Sequence, residues 1–135
     1  MFDPRKPTTQ MLGRWQPWHK GHTALFKKAL LETGQVCIQV RDVFGIVEDA
    51  GAGRTQLQVD NPFSHDDVVQ GIKQGLATEG FEYGVEYIIM QVPNIVDISY
   101  GRGVGYTFTE HDLGKDIHDI SATNIREAMR VNGNL

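Results

Sequence analysis

With 135 residues, 13 basic and 17 acidic side chains, a net charge of −4 and one cysteine, the chain has enough material for one domain with its own core. The lone Cys37 excludes an internal disulfide framework and fits a reducing, cytoplasmic setting. The slight negative charge offers no electrostatic ground for nucleic acid or membrane binding, no apolar run nears the roughly 20 residues of a membrane span, and residues 1–8 read as a flexible polar tail without the apolar segment of a secretion signal.

In chain order, residues 10–13 form a short apolar run ending at Gly13, the pattern of a buried strand. Over residues 22–33 the apolar positions Leu25, Phe26, Ala29 and Leu30 recur at helical spacing, and Gly34 supplies the stop. Residues 35–41 read as a strand, with Cys37 in its apolar run as an inert core residue. Together these make a β-α-β unit, which implies a parallel sheet. Residues 42–62 show no periodicity beyond a short strand at 55–59, and a structureless stretch of that length is expected to be functional or mobile. Ser64 caps a second helix, with Asp67 as its capping-box partner, Val68, Val69, Ile72 and Leu76 as its buried stripe and Gly80 at its end. Residues 87–92 are a continuous apolar run closed by Pro93, again a buried strand. Residues 104–109 have strand composition, and residues 122–131 close the chain as a helix. The alternation predicts an α/β fold, a Rossmann-like doubly wound parallel sheet in three α/β/α layers, as a single domain spanning 1–135.

The most informative stretch is Gly13-Arg14-Trp15-Gln16-Pro17-Trp18-His19-Lys20-Gly21-His22, between the first strand and first helix. In open α/β sheets ligands bind at the carboxyl ends of the strands. A helix N-terminus there presents unpaired N–H groups and a positive dipole end to an anion. Gly21 permits close backbone approach, His19 and His22 converge from turn and helix, and Arg14 adds a rigid two-pronged donor for phosphate oxygens. Zinc ligation is disfavoured, because no cysteine or second histidine pair stands at metal-ligand spacing, and no protein metal site is predicted. Trp15 and Trp18 rank as packing residues first and substrate-stacking residues second.

His19-Lys20-Gly21-His22 resembles the HxGH signature of the nucleotidyltransferase superfamily. The longer stretch from Gly13 to His22 looks most like the archaeal-type nicotinamide-mononucleotide adenylyltransferases. A second stretch, Ile120-Ser121-Ala122-Thr123-Asn124-Ile125-Arg126, is similar to the family's ISxTxxR motif at the start of the last helix. The resemblance implies transfer of a nucleoside monophosphate from ATP or CTP to a phosphorylated small-molecule acceptor, with release of pyrophosphate. It makes His19 and His22 catalytic, and Gly13, Arg14, Trp15, Gln16, Gly21, His22, Ser121, Thr123 and Arg126 nucleotide-binding. Magnesium would be carried mainly by the nucleotide phosphates, and a homodimer is implied by analogy. Arg126 favours the adenylyl branch, and the cytidylyl RTxGIST pattern is absent from Lys115-Asp116-Ile117-His118-Asp119-Ile120-Ser121. Asn61-Pro62-Phe63-Ser64 resembles a third segment of the nicotinamide-mononucleotide enzymes, but Asp67-Val68 replaces their Glu-Arg. Gln39-Val40-Arg41-Asp42 and Tyr100-Gly101-Arg102-Gly103-Val104-Gly105-Tyr106 also depart from the relatives. Arg41 and Arg102 are therefore the candidate acceptor-binding cations. The competing reading is a non-catalytic module that senses nucleotide and turns nothing over.

Overall fold

In the computed structural model of the chain, the residues described are 1–43, 61–102, 105–114 and 130. Three strands, β1 (Thr9–Gly13), β2 (Val36–Arg41) and β3 (Tyr87–Val92), form a parallel sheet in the order β1-β2-β3. Thr9 lies beside Val36 and Gly13 beside Val40, while Val36 lies beside Tyr87 and Arg41 beside Val92. Helix α1 (Lys20–Thr33) connects the first two strands, and α2 (His65–Ala77) precedes the third. A sheet that steps in one direction through right-handed crossovers puts both helices on one face. The core agrees: Val36, Ile38 and Val40 of β2 alternate into a cluster with Phe26 and Ala29 of α1 and with Val68, Ile72 and Leu76 of α2. This is the expected Rossmann-like α/β arrangement, and the described residues supply its sheet and one helical layer.

The helix ends follow the capping rules. Gly34 ends α1 with φ 87°, and its N–H donates to Leu30 O at 2.7 Å. Ser64 and Asp67 form the expected capping box on α2. That helix stops at Ala77, three residues before the predicted glycine; Gly80 instead takes φ 88° in the turn beyond it, where Phe81 N–H returns to Leu76 O.

Three expectations are corrected. The N-terminal tail is fastened down. Buried Gln35 donates through Nε2 to Asp3 O and Thr8 Oγ1, each at 2.7 Å, and accepts from Asp3 N–H, while Phe2 N–H reaches Gly84 O. Cys37 is half-buried on the sheet face away from the helices, with Sγ 3.5 Å from Met90 Sδ; burial raises its thiol pKa, keeping it protonated and inert. Residues 105–109 form no strand, and Tyr106 and Phe108 are 77% and 66% exposed. Their alternation satisfies strand composition, but that preference is realised only where a partner strand and a buried face exist. Residues 55–59, most of the 42–62 stretch, Ser121, Thr123, Arg126 and the last helix apart from Arg130 lie outside the described residues. No helix among the described residues is long and apolar enough to cross a membrane.

Candidate active site

The turn between β1 and α1 is built around its two tryptophans. Trp15 takes φ 55°, a left-handed conformation that costs a non-glycine residue roughly 1–2 kcal/mol. Burial of its ring offsets that cost: the indole folds back over Gly13 and donates from Nε1 to Gln39 O at 3.0 Å. A Cβ on Gly13 would lie 2.8 Å from the Trp15 ring, which is why the strand must end in glycine. Trp18 is likewise buried, donates to Thr23 Oγ1 at 2.9 Å, and lies where a Cβ on Gly75 of α2 would meet it at 2.8 Å. The two indoles touch, with centroids 5.1 Å apart, and both touch the His22 ring, Trp15 edge-on at 4.7 Å and Trp18 at 5.3 Å. Both tryptophans are therefore packing residues that fix His22.

His19 is the N-cap of α1. Its Nδ1 accepts Gly21 N–H at 3.0 Å, and His22 Nδ1 accepts His19 N–H at 3.2 Å. These two bonds form a capping box made of histidines. They also settle the tautomers, since a neutral imidazole that accepts at Nδ1 carries its proton on Nε2. The rings stack at 3.7 Å, 20° apart. Burial pushes His22 down to about 3, with neighbouring His19 adding a smaller push in the same direction, and burial lowers His19 as well. Two neutral rings thus stand side by side at a helix N-terminus, each with an Nε2–H that no hydrogen bond among the described residues engages. Neutral N–H donors at the positive end of a helix dipole are suited to oxyanions.

Arg14 donates through Nη1 to Oδ1 of Asn61 at 3.0 Å, and Asn61 is 0% exposed. Gln16 holds the same segment with both ends of its amide, donating to Phe63 O at 3.0 Å and accepting Phe63 N–H at 2.9 Å. Its structural task is thus to fasten the first turn to the start of α2. Arg41, at the end of β2, donates to Asn94 Oδ1 at 2.8 Å; its pKa is lowered first by burial and then by Arg14. The two guanidiniums thus lie close enough at the carboxyl end of the sheet for their charges to oppose one another. Arg102 lies exposed in a bend, and no hydrogen bond or ion pair joins it to other described residues. Gly13, Arg14, Gln16, His19, Gly21, His22 and Arg41 are therefore gathered around the strand ends, and Arg102 is not joined to them. Asn61 and Asn94, which hold the two arginines, went unassigned in the sequence; the Asn61-Pro62-Phe63-Ser64 segment was the available signal for the first.

No protein-family model matches the sequence. Among curated proteins, the nicotinamide-nucleotide adenylyltransferase of Methanococcus aeolicus is 29% identical over 90 residues, covering 67% of this chain and 46% of the relative. That of Ignicoccus hospitalis is 32% identical over 84 residues, covering 62% and 43%. The chain thus spans less than half the length of these curated relatives. Among solved structures, a bifunctional NMN adenylyltransferase/ADP ribose pyrophosphatase from Francisella tularensis matches with TM-score 0.52 and 25% identity over 65% of this chain and 22% of that one. A second structure of that bifunctional protein, complexed with AMP and a manganese ion, matches with TM-score 0.50 at 24% identity. The parallel fold with the HxGH turn at its strand ends is thus similar, over about two thirds of the chain, to nicotinamide-nucleotide adenylyltransferases.

Proposed function

We propose that the chain is an adenylyltransferase, moving AMP from ATP to the phosphate of a small nucleotide-like acceptor. An acceptor phosphate oxygen attacks the α-phosphorus, a new P–O–P linkage forms, the bond to the β-phosphate breaks, and pyrophosphate leaves. Such a transfer needs positioning and charge stabilisation more than covalent help. The observation that carries the reading is the histidine capping box at the N-terminus of α1, which engages Nδ1 of both rings and leaves each Nε2–H without a partner among the described residues. His19 and His22 donate to oxygens of the transferring phosphate, Gly21 lets the chain come close, and Arg14 and Arg41 face the anionic groups of the two substrates. Ser121, Thr123 and Arg126 hold the outer phosphates. ATP is preferred to CTP, in line with the names of both curated relatives.

The donors of this turn are N–H groups and guanidiniums, which suit oxygen anions and not a hard cation. No cluster of three or more metal-binding side chains stands among the described residues. This donor set fits a divalent cation, magnesium by preference, that arrives on the nucleotide's phosphates and neutralises their charge. The manganese in the Francisella structure belongs to that protein and agrees with divalent-metal use. The test is pyrophosphate release from ATP, CTP, GTP and UTP against phosphorylated acceptors, including nicotinamide mononucleotide. ATP should support release with at least one acceptor. Binding of ATP with no release under any pairing would leave a nucleotide sensor instead.

A further inference from the structure

Arg41 ends β2 beside Val92 of β3, and Asp42 N–H donates to Val92 O at 2.9 Å, so the two strands finish side by side. Beyond Val92 the chain turns sharply. Ile95 N–H returns to Pro93 O at 2.7 Å, closing a three-residue turn with Asn94 at its centre. The turn fixes where Asn94 stands, and its Oδ1 accepts from Arg41 Nη2 at 2.8 Å. A partly buried guanidinium ordinarily pairs with a carboxylate, because an uncompensated charge drawn away from water is unfavourable. Arg41 does not. It forms no ion pair among the described residues, and Asp42, its exposed neighbour in the chain, makes none with it. Arg14 stands near enough to oppose its charge. The cation is therefore held by a neutral oxygen.

We propose that Asn94 is a positioning residue for the acceptor: its neutral amide fixes the Arg41 guanidinium and leaves the whole of that charge to an acceptor phosphate. The inference rests on the adenylyl-transfer reading and deepens it by naming what aligns the acceptor-binding cation and why that residue is an asparagine. A carboxylate in the same place would make a charge-assisted bond to Arg41, about twice as strong as the neutral one, and would hold the side chain more firmly. It would also offset the charge of the guanidinium and repel an incoming phosphate. The amide accepts the same hydrogen bond and does neither. With Arg41 ordered before the acceptor arrives, less side-chain freedom is lost on binding. Stability and acceptor affinity are consequently opposed at position 94. A residue that merely joined the ends of β2 and β3 would move both in the same direction.

The test is Asn94→Asp, the same shape with one added negative charge. It is assayed by pyrophosphate release from ATP with whichever of nicotinamide mononucleotide, CMP, UMP and AMP the unaltered chain uses best. The melting temperature of Asn94→Asp should equal or exceed that of the unaltered chain. KM for the mononucleotide should rise about tenfold or more, and KM for ATP should stay within about threefold. Asn94→Gln, which returns a neutral oxygen, should show a smaller rise than Asn94→Asp. Should Asn94→Asp not fold, Asn94→Ala reads the same coupling: it should raise KM for the mononucleotide in the chain with Arg41 and far less in an Arg41→Gln chain. An unchanged KM in Asn94→Asp, equal rises in both KM values, or equal effects of Asn94→Ala with and without Arg41 overturns the proposal. If the unaltered chain releases no pyrophosphate with any of the four mononucleotides, the adenylyl-transfer reading fails. Calorimetry with AMP and adenosine then reads the tether by itself: a preference for AMP that Asn94→Asp cuts about tenfold supports it, and a preference that is absent or left unchanged ends it.

Discussion

His22 gives Nδ1 to the backbone of the turn and is wedged between two indoles, so its position and tautomer are both fixed before a substrate arrives. A pre-set donor aimed at growing charge contributes more to rate than to binding. His22→Ala should therefore lower kcat by roughly a hundredfold or more while leaving KM for ATP within a few-fold, as steady-state kinetics will show. The same residue links stability to pH. Its folded-state pKa, about 3, lies below its ordinary 6.5, so between those values the unfolded chain binds more protons than the folded one. Stability from this residue is thus full above pH 6.5 and declines as pH falls toward 3, with a slope of up to about 1.4 kcal/mol per pH unit. Urea unfolding at several pH values should show that decline, and His22→Asn should flatten it. A decline of the same steepness in His22→Asn would assign the effect to other groups.

At the scale of elements, three glycines separate packing from propensity. Replacing a mid-helix glycine by alanine ordinarily stabilises by about 0.5–1 kcal/mol. Gly71→Ala in α2 meets nothing within 4 Å and should show that gain. Gly75→Ala, one turn later, drives a Cβ to 2.8 Å from Trp18 and should instead destabilise by about 1–3 kcal/mol, as overpacking does. Gly13→Ala should do the same against Trp15, and because that ring supports His22, it should also lower turnover. Thermal melts of the three variants give the order directly. The elements themselves were legible: apolar spacing, Ser64, Gly34 and the run ending at Pro93 placed both helices and all three described strands to within three residues. The Trp15 and Trp18 wedge was not. Two aromatic residues near a glycine carry no periodicity, and their meaning depends on a left-handed backbone at Trp15 and on α2 packing across the turn. Residues 105–109 failed in the opposite way, with a strand's composition and no partner to pair with.

At the scale of the whole molecule, the first turn draws its support from distant parts of the chain. Asn61 holds Arg14, Phe63 is clasped by Gln16, and Asn94 holds Arg41. These contacts were illegible in the sequence because each joins residues about 50 positions apart, a separation that neither periodicity nor spacing reports. That the histidines, Gly21 and Arg14 stand together was legible because they lie within one short turn. In the proposed function Arg126 takes the outer phosphates. Arg126→Lys keeps the charge but loses the paired donors, so ATP binding should weaken about tenfold or more while AMP binding hardly changes. Equal weakening of both nucleotides in a calorimetric titration would remove Arg126 from that role.

The central claim is that the turn of paired histidines transfers AMP. Its most direct test incubates the purified chain with magnesium, ATP labelled at the α-phosphorus and nicotinamide mononucleotide or another 5′-mononucleotide, then resolves the products. Label should appear in a dinucleotide joined through a pyrophosphate bridge, in step with free pyrophosphate, and should disappear from that product in the His19→Ala/His22→Ala chain. Label that stays in ATP with every acceptor, or a double variant that forms the dinucleotide at the original rate, would contradict it.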